Sequence, residues 1–322
     1  MIILSKISFK DKKVLVTGSS GVIGRELLRY LVEEDADILS VDKLPLPEGD
    51  WSEVTHIQKD LATDNLQELI DFNPEVILHL AAAFERSEES PEFWDVNWHD
   101  NILVSHNVVD IAKQMDNLNT FVFASSYLLY DTHLYMSDSL KDVKYLKETD
   151  MVYPRNLCGG AKFYTEKELE FIKELFLPDL RVVNARIYRV YGRGSNCIVS
   201  RWVRMCLNGE TLDLYNKDNQ FDYVFAGDIA KGLLTLAQES DAEGIVNLAT
   251  GTPNTVNNLI NNLIEEGILD ESRVNDHGTT EQYEASCADI TKLKEVTGWQ
   301  PPTDFKTGIK KIIAYEKDGK LI

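Results

Sequence analysis

Three glycines recur at intervals of three residues near the start of the chain, in a pattern typical of turns that bind phosphate groups. Gly18 permits a tight turn, Gly21 lets backbone N–H groups approach a pyrophosphate, and Gly24 lets a helix pack closely on the preceding strand. An anion held there also meets the positive end of that helix. The predicted phosphate-binding residues are Gly18, Ser20, Gly21, Val22, Ile23 and Gly24.

The elements around this turn are those that a dinucleotide site requires. An apolar run at 14–16 predicts a buried parallel strand, and a helical repeat of leucines follows the glycines. A second strand, predicted at 38–42, ends in Asp42, whose carboxylate would accept hydrogen bonds from an adenosine ribose and repel a 2′-phosphate. We therefore expect NAD rather than NADP, although Lys43 weakens this preference. The alternative is a strand, turn and helix that bind no cofactor and are followed by a surface aspartate, which would show the same pattern.

Strand and helix patterns keep alternating beyond Asp42 and predict an α/β fold with a doubly wound parallel sheet, the Rossmann arrangement. Asp60 and Leu61 follow the third strand at the edge where an adenine would lie, or Asp60 only caps a helix. Small residues after the fourth strand would let the backbone pass close to a cofactor, or they only pack in the core; they include Leu80, Ala81 and Ala82. The elements predicted here are strands at 54–58 and 76–81 and a helix at 66–72.

Composition limits the classes of partner. The chain has 322 residues, of which 43% are hydrophobic, enough for a large α/β domain and a smaller lobe. Its net charge of −20 disfavours nucleic acid and anionic membranes as partners. The apolar patch at residues 1–4 is too short for a signal peptide or a membrane span, so we expect a cytoplasmic protein. Four widely spaced cysteines without a CxxC pair predict neither a disulfide framework nor a metal site.

The rest of the chain divides near its middle. Little apolar periodicity is found at 131–156, and we predict a loop that serves as a lid. Beyond residue 194 the alternation weakens, which predicts an NAD-binding domain at 1–190 and a smaller substrate-binding lobe at 191–322, interleaved with returns to the first domain. The remaining predicted elements are helices at 93–115, 157–175, 200–208 and 228–238, and strands at 120–124, 181–188, 245–248 and near residue 223.

Eight short motifs stand in an order that resembles the extended short-chain dehydrogenase/reductase family, the group that holds nucleotide-sugar epimerases and dehydratases. This resemblance covers nearly the whole chain, and it implies NAD as cofactor, a nucleotide sugar as substrate, and a homodimer formed through the helices at 93–115 and 157–175. The motifs are TGSSGVIG (17–24), ILHLAA (77–82), NILVSHN (101–107), FASSYLLY (123–130), RIYRVYG (186–192), DYVFAGD (222–228), NLATG (247–251) and GWQP (298–301).

The resemblance also implies catalytic roles. In that family a Ser or Thr lies four residues before the tyrosine that closes the strand-five motif, which gives this role to Ser126. Its hydroxyl would bind the substrate oxygen that is oxidised or reduced; otherwise it caps the strand end. The family's tyrosine base and its lysine are spaced YxxxK on the following helix, and this window reads CGGAK. Cys158 replaces the tyrosine, and Lys162 would orient the nicotinamide ribose.

Cys158 has the electrostatic setting of a base but not the reach. Positions 158 and 162 share a helix face, so the charges of Lys162 and of cationic NAD favour a thiolate. A cysteine sulfur, however, lies roughly 4 Å nearer its backbone than a tyrosine oxygen, and proton transfer needs contact at about 3 Å or one bridging water. Three interpretations stay open: a water or a repositioned substrate closes the gap, Tyr127 or Tyr153 replaces the base, or hydride chemistry is lost.

Two further departures from the family concern the substrate. Its dehydratases carry Asp-Glu after the Ser/Thr, whereas this chain has Tyr127 and Leu128, which disfavours an ordinary dehydratase. An arginine that often meets the substrate diphosphate is replaced by Phe221, which could stack on a base instead. Other arginines could supply the charge or form surface ion pairs; they are Arg193, Arg201 and Arg204. The residues predicted to bind substrate are Ser126, Tyr127, Arg193 and Phe221.

Three functional hypotheses follow from these residues. The leading one is an NAD-dependent enzyme that acts on a nucleotide-linked sugar by hydride transfer at a sugar carbon, with epimerisation or ketoreduction preferred. A second is a catalytically silent NAD-binding protein with a structural or regulatory role, because the usual tyrosine is missing. The third is an atypical nucleotide-sugar dehydratase.

Overall fold

The computed structural model describes residues 8–84, 90–139, 142–279 and 282–318, so the apolar patch at residues 1–4 lies outside them. In chain order the strands are β1 (Lys13–Thr17), β2 (Asp37–Asp42), β3 (Val54–Gln58), β4 (Val76–His79), β5 (Thr120–Ser126), β6 (Met136–Ser137), β7 (Lys144–Leu146), β8 (Arg181–Ile187), β9 (Arg189–Tyr191), β10 (Leu212–Leu214), β11 (Gln220–Phe221), β12 (Tyr223–Phe225), β13 (Gly244–Leu248), β14 (Asn254–Thr255), β15 (Val274–Asp276) and β16 (Tyr283–Ala288). The helices are α1 (Gly24–Glu33), α2 (Gln67–Phe72), α3 (Pro91–Asn97), α4 (Val104–Ala112), α5 (Leu157–Leu175), α6 (Ile198–Leu207), α7 (Ala226–Gln238), α8 (Val256–Glu265), α9 (Thr291–Thr297) and α10 (Phe305–Asp318).

Seven parallel strands form the central sheet in the order β13-β8-β5-β4-β1-β2-β3. The chain adds β2 and β3 on one side of β1, then crosses over and adds the other four strands on the opposite side. This doubly wound arrangement confirms the predicted fold class. The direction reverses between β1 and β4, and the carboxyl ends of strands at such a point leave a crevice in which ligands bind.

Helices cover both faces of this sheet because its central strands are apolar on both sides. Along β1, Val16 faces a cluster formed with α1 and α7, whereas Leu15 faces a second cluster formed with α2, α4 and α5. Both side chains are fully buried. None of the helices in the described ranges combines the length and the apolar character needed to cross a membrane.

A smaller unit packs its own apolar cluster between α6, α8 and α10. Its sheet has the strand order β14-β11-β16-β6, and β7 also pairs with β16. Because β6 and β7 precede β8 in the chain while β13 follows β12, the polypeptide passes repeatedly between the central sheet and this unit.

The segment predicted as a loop at 131–156 contributes two strands to that smaller sheet. Met136 and Ser137 of β6 pair with β16 in the antiparallel direction, and β7 pairs with β16 in parallel. Strands of two or three residues are too short to show alternation, so only their distant pairing partner defines them. The segment is therefore anchored to β16 over these residues.

The helix predicted at 93–115 is interrupted by a π-helical turn, Trp98–Leu103, between α3 and α4. Within this turn, Asn101 is buried and its side-chain oxygen accepts a hydrogen bond of 2.8 Å from the N–H of Ala83. Its amide nitrogen donates to Asn97 at 2.7 Å. Such turns commonly mark functional sites, because they redirect one side chain out of the regular helical repeat.

A buried ion pair links α5 to β8 beneath the end of β5. Arg186 donates to both carboxylate oxygens of Glu166 at 3.1 and 2.8 Å, and both side chains are almost fully buried. The same carboxylate accepts a hydrogen bond of 2.5 Å from Ser125, the neighbour of Ser126. This network fixes the position of α5 relative to the carboxyl end of β5.

We expect Arg186→Met to destabilise the protein by about 3–5 kcal/mol, because it leaves the charge of Glu166 buried without its partner. Chemical denaturation measures this change. The double variant Arg186→Met/Glu166→Leu should recover part of the loss, since it removes the orphaned charge. Lys306→Met, which breaks an exposed pair with Glu265, is the control and should leave the unfolding midpoint unchanged. If Arg186→Met and Lys306→Met changed the free energy of unfolding equally, the stabilising role of the buried ion pair would be contradicted.

Candidate active site

The glycine turn after β1 lies directly against the chain that leaves β4. Gly18 has a φ of 71°, in the left-handed region, and a Cβ at this position would lie 2.6 Å from the backbone nitrogen of Ala81. No side chain fits such a gap. The residue type at Gly18 therefore brings the two strand ends together at the reversal point of the sheet.

Free backbone donors stand at the start of α1. Within the described ranges, the N–H groups of Val22 and Ile23 have no hydrogen-bond acceptor. Unpaired N–H groups in the first turn of a helix favour an anion, both as donors and through the helix dipole. The residues present therefore fit the pyrophosphate of a dinucleotide.

A cleft of about 220 Å³ opens at this turn. Its walls include most of the predicted cofactor-binding residues, whereas Val22, Ile23, Gly24 and Lys162 stand outside its lining. Lining residues that sequence reasoning did not assign are Leu44, Lys59, Asp100 and Val104, together with Lys43. The predicted residues that line it are Gly18, Ser20, Gly21, Asp42, Asp60, Leu61, Leu80, Ala81 and Ala82.

Asp42 and Asp60 line the cleft at the ends of the neighbouring strands β2 and β3, and hydrogen bonds hold both carboxylates. The carboxylate of Asp42 accepts from the N–H groups of Ser20 and Leu44, each at 2.9 Å. Asp60 accepts from the N–H of Ala62 at 2.9 Å, so it caps its turn and lines the cleft at once. Lys43 and Asp100, which also line the cleft, form an ion pair at 2.5 Å.

Ser126 ends β5 and begins a short 3-10 turn, Tyr127–Leu129. Its hydroxyl oxygen accepts a hydrogen bond of 3.2 Å from the N–H of Leu128, so the capping role considered for this serine is present. The start of α5 packs tightly on that turn, because a Cβ at Gly159 would lie 2.6 Å from the carbonyl oxygen of Leu128. Gly159 therefore brings Cys158 beside the turn that carries Ser126.

Lys162 lies one helical turn after Cys158, and its Nζ stands 4.7 Å from the centroid of the Phe123 ring on β5. Burial lowers the pKa of Lys162 to about 8, and the nearby Cys158 thiol partly opposes this shift. The amine is therefore mostly protonated at neutral pH but loses its charge just above it. His79, close by on β4, stays neutral because burial, aided by the charge of Lys162, lowers its pKa to about 3.

The sulfur of Cys158 is turned toward the loop after β4. It lies 3.8 Å from the carbonyl oxygen of Ala83 and 4.0 Å from the amide nitrogen of Asn101, and the residue is only 4% exposed. Ala83 follows directly on Ala82 of the cleft wall. The loop after β4 therefore joins the cofactor cleft to the helix face that carries Cys158 and Lys162.

Of the residues predicted to bind substrate, Tyr127 and Phe221 both lie against Arg189, whereas Arg193 lies against α10. Tyr127 is buried, with its ring stacked on Tyr188 at a centroid distance of 4.9 Å. Arg193 stands 5.5 Å from the ring centroid of Tyr315 on α10. Phe221 is buried beneath a guanidinium group, that of Arg189, at 3.7 Å.

Neither Arg204 nor Tyr153 lines the cofactor cleft. Arg204 pairs with Glu316 of α10 at 2.9 Å and donates to the carbonyl oxygen of Ser195 at 2.7 Å. The side chain of Tyr153 is 68% exposed. The arginine therefore serves packing between elements, and the tyrosine mainly contacts solvent.

Sequence reasoning missed an arginine cluster, which we define as Arg155, Arg189 and Glu284. Arg155 donates to Glu284 at 2.8 Å, and Arg189 lies 3.2 Å from both carboxylate oxygens. Burial alone would raise the pKa of Glu284, but the charges of Arg189 and Arg155 outweigh it and hold the pKa below its usual range. The three residues are far apart in sequence, so no spacing indicated their meeting.

Gly18→Ala should weaken NAD binding at least about tenfold, because the added Cβ pushes the turn away from Ala81. Gly244→Ala is a matched control, since Gly244 also has a φ of 71° but has open space where a Cβ would stand. Both substitutions should cost about 1–2 kcal/mol of stability from the left-handed conformation. Calorimetric titration with NAD separates them, and equal NAD affinities would contradict the close-approach argument.

The lowered pKa of Lys162, whose side chain is half-buried, should make stability depend on pH. Between about pH 8 and 10.5 the unfolded chain keeps a proton on this lysine that the folded chain has released, so stability rises with pH in that window. Relative to Lys162→Met, the wild type should gain about 2–3 kcal/mol between about pH 7 and pH 10. Urea unfolding of both proteins measures the difference. A difference that does not change with pH would contradict the lowered pKa.

Comparison with known proteins gives relatives over almost the whole chain. A putative UDP-glucose 4-epimerase of Methanocaldococcus jannaschii is 27% identical over 322 residues, covering 95% of this chain and 98% of that protein. The dTDP-4-dehydro-6-deoxyglucose reductase of Escherichia coli is 24% identical over 328 residues, covering 93% and 96%. Identities of this size do not determine which reaction is catalysed.

Solved structures support the same fold. The structure of MoeE5 in complex with UDP-glucuronic acid and NAD has a TM-score of 0.82 and 24% identity, covering 96% of this chain and 100% of that one. The epimerase Mth375 of Methanothermobacter thermautotrophicus has a TM-score of 0.83 and 21% identity, covering 95% and 92%. A family model described as the NAD dependent epimerase/dehydratase family matches residues 14–249. The resemblance seen in the motifs and the expected cofactor, NAD, are thus confirmed, and the chain belongs to the NAD-dependent epimerase/dehydratase family.

Proposed function

We propose that this protein is an NAD-dependent enzyme that acts on a nucleotide-linked sugar by reversible hydride transfer at a sugar carbon. The observation that carries the proposal is the continuity of the loop after β4. Its residue Ala82 lines the cofactor cleft. The carbonyl oxygen of the next residue, Ala83, lies 3.8 Å from the sulfur of Cys158. The turn that would hold the cofactor and the helix that would carry the chemistry thus share one short segment.

In this proposal the nicotinamide of NAD supplies the hydride acceptor when the cofactor is bound. Lys162 donates hydrogen bonds to the ribose hydroxyls and keeps a positive charge near the reacting groups while the pH stays below about 8. Ser126 hydrogen-bonds the sugar oxygen whose carbon is oxidised. The half-buried position of this serine at the end of β5 leaves its hydroxyl at the carboxyl edge of the sheet.

Cys158 takes the proton of the sugar hydroxyl through one water in this scheme. The sulfur stands against the backbone of Ala83, so it does not extend into the cleft as a longer side chain would. Lys162 lies on the same face of α5, and its charge favours the thiolate that such a transfer requires. With the cofactor bound, these residues would serve either of two reactions: epimerisation, in which the same cofactor would take and return the hydride, or ketoreduction, in which reduced NAD would be consumed as the hydride donor and Cys158 would return the proton through the water.

A catalytically silent NAD-binding protein is the second candidate. The observation in its favour is that Cys158 is 4% exposed and faces the loop backbone. Dehydration has less support than either, since the two residues after Ser126 are Tyr127 and Leu128, both buried and neither a carboxylate.

We also propose a cytoplasmic homodimer formed through the helices at 91–112 and 157–175. Large apolar side chains are exposed along these helices, at Trp94, Trp98, Phe171 and Leu175. Such side chains favour a protein interface. The four cysteines all lie in the described ranges and none of them forms a disulfide there, which fits a reducing compartment.

A direct test measures NAD in the purified protein and then product formation with a panel of nucleotide sugars, including UDP- and dTDP-linked hexoses. We expect the wild type to turn over at least one of them. Cys158→Tyr should raise the rate about 10- to 100-fold, because a phenol reaches the substrate without a bridging water. Cys158→Ser is the control for a short side chain without thiolate chemistry and should lose activity.

The outcomes separate the two candidates. An inert wild type with an active Cys158→Tyr variant would favour the silent protein, whose site is otherwise intact. If neither protein binds any nucleotide sugar, the enzyme proposal is wrong.

A further inference from the structure

We propose that Arg189 binds a negatively charged oxygen of the substrate, and that Glu284 and Arg155 hold its guanidinium group in position. This inference rests on the proposed function and specifies its substrate, which must present an anionic group beside the reacting sugar carbon. The chemistry that Arg189 recognises is that of an oxyanion with two or more oxygens, such as a phosphate or a carboxylate.

The arginine cluster joins three parts of the chain at one place. Arg155 comes from the segment before α5, Arg189 begins β9, and Glu284 lies on β16 of the smaller sheet. Glu284 is 4% exposed, whereas the arginine side chains are 30% and 34% exposed. The carboxylate is therefore enclosed by its partners, whereas each arginine side chain keeps part of its surface open to solvent.

The charges of this cluster do not cancel. Two arginines share one carboxylate, so the group carries one excess positive charge in a region rich in aromatic rings. Arg155 makes the shorter bond to Glu284, at 2.8 Å, while Arg189 divides one nitrogen between both oxygens at 3.2 Å. Both arginines therefore neutralise Glu284 together, and the one positive charge that remains in excess is available to a ligand.

Two buried polar atoms at Arg189 lack partners. In the described part of the chain, no hydrogen-bond partner meets the Nε of Arg189 or the hydroxyl group of Tyr223, which lies on β12 in register with Arg189. The guanidinium carbon of Arg189 lies 3.7 Å from the centroid of the Phe221 ring and 5.8 Å from that of Tyr127. Unpaired buried donors are costly, and a set of them around one cation is what a site for an anion requires.

The cluster also lies beside the groups assigned to catalysis. Tyr127, whose ring faces Arg189, directly follows Ser126, and Arg155 stands three residues before Cys158. The N–H of Arg155 donates to the carbonyl oxygen of Leu128 at 2.9 Å, in the same turn. A substrate oxygen bound by Ser126 therefore places the neighbouring substituents of the sugar, or the first phosphate attached to it, toward Arg189.

The test uses the NAD-loaded full-length protein and calorimetric titration with UDP, UDP-glucose, UDP-glucuronic acid and the corresponding dTDP compounds. Arg189→Gln should weaken binding of the anion-bearing ligand about 10- to 100-fold, and Arg189→Lys should retain part of the affinity. An equal loss for UDP and both sugar nucleotides identifies a phosphate as the partner. A loss confined to UDP-glucuronic acid identifies the sugar carboxylate.

Arg29→Gln is the matched control. Arg29 is 36% exposed, pairs with the buried Glu26 at 2.8 Å, stacks 4.6 Å from the Tyr30 ring and has a buried Nε without a partner among the described residues. It differs from Arg189 in its place on α1 and in having no second arginine on its carboxylate. We expect its substitution to change nucleotide-sugar affinity by less than about twofold.

Folding and binding are separated by measuring the melting temperature and NAD affinity of every variant. If Arg189→Gln does not fold, Arg189→Lys decides the matter, because it keeps the charge but loses the paired donors. Wild-type binding with unchanged affinity in the Arg189 variants overturns this inference alone. An absence of nucleotide-sugar binding to the wild type overturns the proposed function, and the inference with it.

Discussion

The close contact between the glycine turn after β1 and the loop after β4 is the constraint on which the rest of the site depends. At Gly18 the two backbones are so near that a single added carbon would collide with Ala81. This contact sits where the strand order reverses, so one face of the turn is open for phosphate while the other supports the β4 loop. The same loop then continues to Ala83, where it meets Cys158.

Helix α5 carries two ionisable side chains on successive turns, a lysine with a lowered pKa and a glutamate in a buried ion pair. Lys162 stands over the Phe123 ring of β5, and Glu166 one turn later is buried against Arg186 and Ser125. The buried pair anchors the helix, whereas desolvation of the lysine leaves its charge sensitive to pH. Gly159 at the start of the helix allows close packing on Leu128. Glu166 and Gly159 thus fix where the helix lies, whereas Lys162 gives it a charge that depends on pH.

Charge is distributed unevenly over this acidic chain. Its net charge of −20 repels anions at long range, so any anionic substrate has to be attracted locally. The start of α1 offers unpaired N–H groups, and the arginine cluster offers an excess positive charge that lies against the Phe221 ring. Both features act at short range, where salt and the overall charge screen them less.

The sequence alone determined the fold class, the cofactor and the glycine turn, because these depend on local patterns: apolar runs, glycine spacing and helix periodicity. It also indicated the missing tyrosine at Cys158. Tertiary structure alone decided the strands inside 131–156, the π-helical turn at Asn101 and the meeting of Arg155, Arg189 and Glu284. These features are set by contacts between residues far apart in the chain, and no local spacing encodes which distant partner a short strand or a single charge will meet.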